Sequence, residues 1–346
     1  MVRFPKPLVP GDVIAVTAPS SGVSAPTLAR LDLVLTHLRA QGYRVIEGEC
    51  LRGQHKDASA PCDQRAHELV RFLTDPAVAA IMPPWGGELA IELLDLIDFA
   101  ALSSMPPKWL LGYSDLSTLQ LPLTLVSGWA TAHGPNLMDL APTQTDPLTT
   151  STLRVLSADF STPVEQHASA RHQTEWTDFG AHPDAPLNLT EPTLWKRLDG
   201  SAAPTGFSGR LIGGCLDTIA WLAGSAYGDI PRFVRESGKA GTILYLENAE
   251  MNPTGLVRAL WGLRLSGWFW GLSGLMLGRS TGPGPKNGDS LTYEDALQAV
   301  LADLPYPIRY DVDVGHQPPQ YTLVNGAATR VAFEAGRGRV TQVRGG

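Results

Sequence analysis

Over its first 125 or so residues the chain alternates short apolar runs with helical patterns, and this alternation limits the fold more than any other feature. Val13-Ile-Ala-Val-Thr-Ala reads as a buried strand stopped by Pro19 and Gly22. Leu28, Leu31, Leu35 and Leu38 then recur at helical spacing, with Gly42 where a C-terminal cap belongs. Tyr43-Arg-Val-Ile is the next strand, residues 63–73 a helix halted by Asp75-Pro76, and Val78-Ala-Ala-Ile-Met a third strand. Residues 88–97 read as helix, Lys108-Trp-Leu-Leu-Gly as strand, and a helix starts near Asp115. Strands alternating with helices predict a parallel sheet with helices on both faces.

The pattern fades between about 143 and 209, where Thr, Ser, Pro and Asp accumulate. The expected organisation is an α/β domain over 1–165, a linker over 166–208 and a second domain over 209–346. In the second domain Leu211-Ile-Gly-Gly, Thr242-Ile-Leu-Tyr-Leu and Leu275-Met-Leu-Gly read as strands, and 216–222, 254–265 and 293–301 as helices. Thr292-Tyr-Glu-Asp295 has the spacing of a capping box. The tail, 321–343, alternates as terminal strands do.

A length of 346 residues fits two domains at roughly 100–200 residues each. With 43% hydrophobic and 18% charged residues, the chain has enough apolar surface to fold rather than remain disordered. The net charge is −7 and Lys and Arg form no run, so no nucleic-acid partner is expected. Cys50, Cys62 and Cys215 are odd in number and lack C-x-x-C spacing, which predicts neither a disulfide framework nor a zinc site. No stretch nears the ~18 apolar residues that span a bilayer, and 13–18 is too short for a secretory h-region. A cytoplasmic protein without a membrane partner is expected. No G-x-G-x-x-G is present and Ser20-Ser-Gly22 is too short for a P-loop, so no cofactor and no metal are expected.

Four segments carry possible chemistry. In Gly112-Tyr-Ser-Asp-Leu a serine sits between a strand and a helix, where its hydroxyl projects from the sheet and the Asp115 N–H faces a developing oxyanion. Leu116 replaces the second glycine of the usual elbow, and Ser114 acting only as a helix cap is the alternative. Asp311-Val-Asp-Val-Gly-His316 ends a strand in a histidine suited to general-base work. Its alternative is a surface-loop histidine, and His133 in Thr131-Ala-His-Gly-Pro is the main rival base. Tyr245-Leu-Glu247-Asn ends an apolar strand in a carboxylate that needs a partner, either a histidine or the nearby helix N-terminus. Trp85-Gly-Gly-Glu88 offers the N–H groups of Gly86 and Gly87 as a second oxyanion donor, or is an ordinary tight turn.

Taken together, the segments Gly11-Asp-Val-Ile-Ala-Val-Thr-Ala-Pro-Ser-Ser-Gly, Trp85-Gly-Gly, Gly112-Tyr-Ser-Asp, His133-Gly-Pro, Gly209-Arg-Leu-Ile-Gly-Gly, Leu244-Tyr-Leu-Glu-Asn and Val314-Gly-His resemble, in order, the motifs of the serine LD-carboxypeptidase family. That family includes muropeptide carboxypeptidases and microcin C self-immunity peptidases. The resemblance implies a flavodoxin-like, or glutamine-amidotransferase-like, parallel-sheet domain followed by a smaller β-rich C-terminal domain. It implies Ser114 as nucleophile, Glu247 as orienting acid and His316 as base, with Asp115 and Gly86 or Gly87 forming the oxyanion hole. It further implies hydrolysis of an amide next to a free carboxylate, and a homodimer. Length and the style of the Trp-Gly-Gly-Glu and Tyr-Leu-Glu-Asn segments look closer to the immunity-type branch. That branch cleaves aminoacyl-nucleotide amides and lays an aromatic residue over the nucleobase. Trp176 and Trp195 are the linker candidates for that role, with plain packing as the alternative. Arg210, Lys196 and Arg279 are candidates for holding the substrate carboxylate. A reading from another class is a non-catalytic nucleotide- or peptide-binding protein.

Overall fold

The computed structural model describes residues 2–201 and 203–345; Met1 and Gly346, the outer ends of the two expected domains, lie outside it. The first sheet contains β1 (Val13–Val16), β2 (Arg44–Glu47), β3 (Val78–Ile81), β4 (Trp109–Gly112) and β5 (Ala132–His133). They are parallel in the order β2-β1-β3-β4-β5. This is the flavodoxin-like order, in which ligands gather beyond the carboxyl ends of the strands. The alternation of β1 decides which side each residue covers. Val13 and Ala15 join one apolar cluster with Leu69 and Phe72 of the helix Cys62–Thr74. Ile14 and Val16 join another with Leu31, Leu35 and Leu38 of the helix Leu28–Ala40. Both faces of the sheet are therefore buried, as a parallel sheet requires.

The second sheet has eight strands, in the order Val164–His167, Arg337–Val343, Ala328–Glu334, Thr205–Cys215, Thr242–Glu247, Gly274–Gly278, Ile308–Val312 and Lys196–Arg197. The run from Thr205–Cys215 to Ile308–Val312 is parallel and the flanking pairs are antiparallel. Strand Thr242–Glu247 is buried along its whole length, glutamate included. The fold is thus mixed α/β, with a parallel-sheet N-terminal region and a β-rich C-terminal one, as the resemblance implies.

The two regions are joined by more than a connection. Leu323–Val324, near the C-terminus, pairs antiparallel with β5 and forms the edge of the first sheet. Leu244, Leu246 and Leu275 of the second sheet share the cluster of Val13 and Ala15. The stretch 166–208, expected as a linker, supplies the edge strand Lys196–Arg197 and a small antiparallel pair, Arg171–His172 with Glu191–Pro192. Strands this short leave little periodicity in a sequence. The expected helix over 88–97 forms 3-10 turns instead, Ala90–Leu96. Its start is tied sideways, because Ala90 N–H donates to Asp115 Oδ2 and Arg65 Nη1 donates to Leu89 O. Among the described residues, no helix is long and apolar enough to cross a membrane.

Candidate active site

β4 is wholly buried, and the chain reverses sharply where it ends. Tyr113 is extended, and its N–H is held by Asn136 Oδ1 at 3.1 Å. Ser114 follows at φ +63°, a left-handed conformation that costs on the order of 1–3 kcal/mol in a non-glycine residue. One 3-10 turn, Ser114–Leu116, then runs into the helix Ser117–Leu125. This strand–turn–helix geometry lifts the serine hydroxyl out of the sheet without a second glycine at 116.

The second sheet brings its side chains to the same point. Cys215 N–H donates to Ser117 Oγ at 3.0 Å, docking the end of Thr205–Cys215 on the helix that follows Ser114. Glu247 ends the adjacent strand in register with Cys215. Gly315, at φ +95°, passes so close that a Cβ there would lie 2.8 Å from Glu247 Cβ, and this close approach carries the chain to His316. His316 Nδ1–H donates to Glu247 Oε2 at 2.8 Å, and Ser114 Oγ–H donates to His316 Nε2 at 3.0 Å. Because ionised Glu247 can only accept, it selects the tautomer whose Nε2 faces the serine. The edge of the Tyr113 ring packs on the imidazole, 4.9 Å between centroids. Ser114, His316 and Glu247 come from 202 and 69 residues apart and form one hydrogen-bonded chain.

The electrostatics favour a charged acid and a basic imidazole. Burial pulls the His316 pKa down, but the charge and hydrogen bond of Glu247 outweigh it and leave His316 above the ordinary histidine value of 6.5. Burial alone raises Glu247, and His316 reverses that, so the carboxyl ends below its ordinary value. Among the described residues, none offers a hydrogen bond to buried Glu247 Oε1.

Gly86 lies against the serine. A Cβ there would sit 2.9 Å from Asp115 N, 2.7 Å from Ser114 Cβ and 3.0 Å from Ser114 Oγ. Gly87 follows at φ +142° and lines the same cavity as Ser114, about 330 Å³, with Glu88, Cys215, Trp221 and Glu250. The Asp115 carboxylate points away from the reaction zone. It accepts from Ser20 Oγ at 2.5 Å, Ala90 N at 2.8 Å and Thr118 Oγ1 at 3.2 Å, so it ties the loop after β1 to the turn after β4.

Other expected residues lie elsewhere. His133 is fully buried, neither ring nitrogen has a hydrogen-bond partner among the described residues, and burial pushes its pKa down to about 4, so it is a neutral core residue. Trp195 is 1% exposed and its Nε1–H donates to Asp313 Oδ2 at 2.7 Å, so it packs in an apolar cluster with Tyr321, Val331 and Val340 and does not line the serine pocket. Trp176 is exposed. Arg210 lines a separate depression with Arg3 and Arg232. Lys196 pairs with Glu294 and Asp311, and buried Arg279 with Asp313. Both border a second groove of about 420 Å³ that meets the serine pocket at Met251.

One residue escaped the sequence reading. Asp217 accepts from the N–H groups of Ala249, Glu250 and Met251 at 2.8, 2.9 and 3.2 Å and shapes the turn just after Glu247. Its only signal was an acid at the start of a helix, which is common for reasons of the helix dipole. Among the described residues, Cys215, Glu247 and His316 form a group with metal-donor atoms within 4.8 Å of one another. Two of those three already bond each other, so an ion there would compete with the serine–histidine–glutamate chain.

The chain matches the LD-carboxypeptidase N-terminal domain over residues 14–134 and the LD-carboxypeptidase C-terminal domain over 208–331. A protein of Vibrio cholerae named as a carboxypeptidase is 30% identical over 96% of this chain and 95% of its own. The Escherichia coli microcin self-immunity protein MccF is 24% identical over 95% of this chain and 92% of its own. Among solved structures, MccF in complex with glutamyl sulfamoyl guanosine has the same fold, with a TM-score of 0.82 at 21% identity, covering 99% of this chain and 98% of that one. A muramoyltetrapeptide carboxypeptidase from Oxalobacter formigenes has a TM-score of 0.70 at 20% identity, covering 96% and 98%. Spanning both domains of the family and nearly the full length of its relatives, the chain belongs to the LD-carboxypeptidase family of serine peptidases.

Proposed function

We propose that this chain hydrolyses an amide bond next to a free carboxylate in murein-type peptides, with Ser114 as nucleophile, His316 as base and Glu247 as orienting acid. The observation that carries the reading is the bonded chain from Glu247 through His316 to Ser114 at an open pocket. His316 takes the Ser114 proton as Oγ attacks the carbonyl carbon, and Glu247 stabilises the imidazolium. The N–H groups of Asp115 and of Gly86 or Gly87 hold the oxyanion. His316 then returns its proton to the leaving amine, and water frees the acyl group by the same steps. In this proposal a domain over 1–165 carries the nucleophile and one over 209–346 the acid and base, while the connecting stretch 166–208 packs on both, on Arg30 through Pro183 O and Ala185 O and on Asp313 through Trp195. A homodimer in the cytoplasm, with no cofactor, completes the proposal.

A second reading, cleavage of aminoacyl-nucleotide amides, draws on the likeness to MccF and on the exposure of Trp176, which offers a face for a base. A substrate panel separates the two. The murein reading expects release of the terminal D-amino acid from an L,D-linked tetrapeptide at a kcat/KM at least about tenfold above that for aspartyl sulfamoyl adenosine. The reverse order favours the second reading, and hydrolysis of neither by well-folded protein favours a binding protein.

Two further outcomes follow from the site. Neutral His316 is the active form and its pKa is raised, so kcat/KM should rise with pH through a limb centred above 6.5. A pH profile with the limb well below 6.5 would contradict the Glu247–His316 pairing. Gly86→Ala should place a methyl beside the Asp115 N–H and Ser114 Oγ. The expected loss in kcat is on the order of 100-fold, comparable to losing one oxyanion donor. Steady-state kinetics alongside a melting curve would separate this from unfolding.

A further inference from the structure

The loop bearing His316 is fixed from behind by a buried side-chain network that the reaction itself does not use. Tyr321 N–H donates to Asp313 O at 2.8 Å and closes the base of the loop. Within it, local support is thin: the Gly315 N–H reaches Gln320 Oε1 only at 3.4 Å. Gln173 N–H holds Pro318 O at 2.8 Å, and Arg279 holds the two carbonyls on either side of it. Its Nε and Nη2 donate to Gln317 O at 3.0 and 2.7 Å, and Nη2 also donates to Pro319 O at 2.7 Å. Its Nη1 donates to Asp313 Oδ1 at 3.1 Å. Arg279 is 3% exposed and Asp313 fully buried. Asp313 is in turn anchored by Trp195 Nε1–H on Oδ2 and by Ser169 N–H and Oγ–H on Oδ1.

We propose that Arg279, held by Asp313 and Trp195, is a positioning residue that sets the distance of His316 from Ser114 and Glu247. The inference rests on the reading of His316 as the base. A planar guanidinium can serve two carbonyls and a carboxylate at fixed angles, which a lysine ammonium cannot. The Gln317 carbonyl lies one residue beyond the imidazole, so slack there moves the base directly. This use of the guanidinium also explains why Arg279, although it borders the larger groove, is not available to hold a substrate carboxylate. It gives the stretch 166–208 a part in the site, because Ser169 and Trp195 both come from it.

The test compares Arg279→Lys with Arg30→Lys. Arg30 is a buried arginine of the same kind away from the site, donating to Met138 O, Pro183 O and Ala185 O. Both variants should melt earlier. Only Arg279→Lys should lose kcat, by about 10–100-fold as expected for a small displacement of a reacting group, with KM within about threefold. Its acid limb in kcat/KM should also move down, because a loosened His316 gains less from Glu247 while Asp217 and Glu250 stay unchanged. Arg279→Lys with wild-type kcat and limb overturns the proposal, as does an equal kcat loss in Arg30→Lys. If Arg279→Lys does not fold, Trp195→Phe carries the test, since it removes the indole N–H from Asp313. A loss of kcat with a lowered limb supports the brace, and wild-type values overturn it. His316→Ala runs alongside: retained activity there defeats the reading of His316 as base, whereas an inactive His316→Ala beside a normal Arg279→Lys defeats the brace alone.

Discussion

Ser114→Ala is expected to lower kcat by a factor of roughly 10⁵–10⁶, the scale seen when a triad nucleophile is removed, while leaving the melting temperature nearly unchanged. The variant keeps the backbone at φ +63°, so the turn strain is the same in both proteins. The hydroxyl bonds the side chain of His316, through Nε2, at the edge of an open pocket where water can replace it. A stability change within about 0.5 kcal/mol is therefore expected. Hydrolysis of the tetrapeptide followed by amino-acid release, with circular dichroism on the same sample, reads both quantities. Activity within tenfold of wild type would remove Ser114 from the chemistry.

Glu247→Gln should cost about 10⁴-fold in kcat, as expected when an orienting carboxylate becomes an amide. Two losses combine. The amide no longer dictates which ring nitrogen of His316 carries the proton, and the charge that stabilised the imidazolium is gone. The second loss has its own signature. In the wild type, burial lowers His316 and Glu247 raises it above 6.5. Without that charge burial prevails, so the acid limb of the residual activity should fall below 6.5. A kcat loss with an unmoved limb would mean that Glu247 acts through packing alone.

The contrast between Glu247 and Trp195 shows what the sequence carried. Glu247 ends a six-residue buried strand, so a carboxylate there had to have a partner, and family-like motifs at 114 and 316 named it. Three strands of the first sheet were equally legible, because 13–16, 78–81 and 109–112 are short apolar runs between clear breakers, whereas the two-residue β5 has no such run. Trp195 sits in a stretch of two-residue strands, and the partner of its indole, Asp313, lies 118 residues away. Nothing in local spacing announces such contacts, so an indole that binds a buried carboxylate could not be told from one offered to a ligand. Arg279 was ambiguous for the same reason. A lone arginine after a strand looks available until the carbonyls of Gln317 and Pro319 are seen around it. Asp217 shows the converse, an ordinary helix-start acid that proves to hold the turn behind Glu247.

The central claim is that the hydroxyl at 114 is activated by the imidazole at 316. A fluorophosphonate probe, followed by intact mass and peptide mapping, tests it without knowledge of the substrate. The expected result is a single adduct on Ser114, absent in Ser114→Ala and formed at least about 1000-fold more slowly in His316→Ala. An unlabelled wild type, a label on another residue, or equal labelling rates in wild type and His316→Ala would contradict the account.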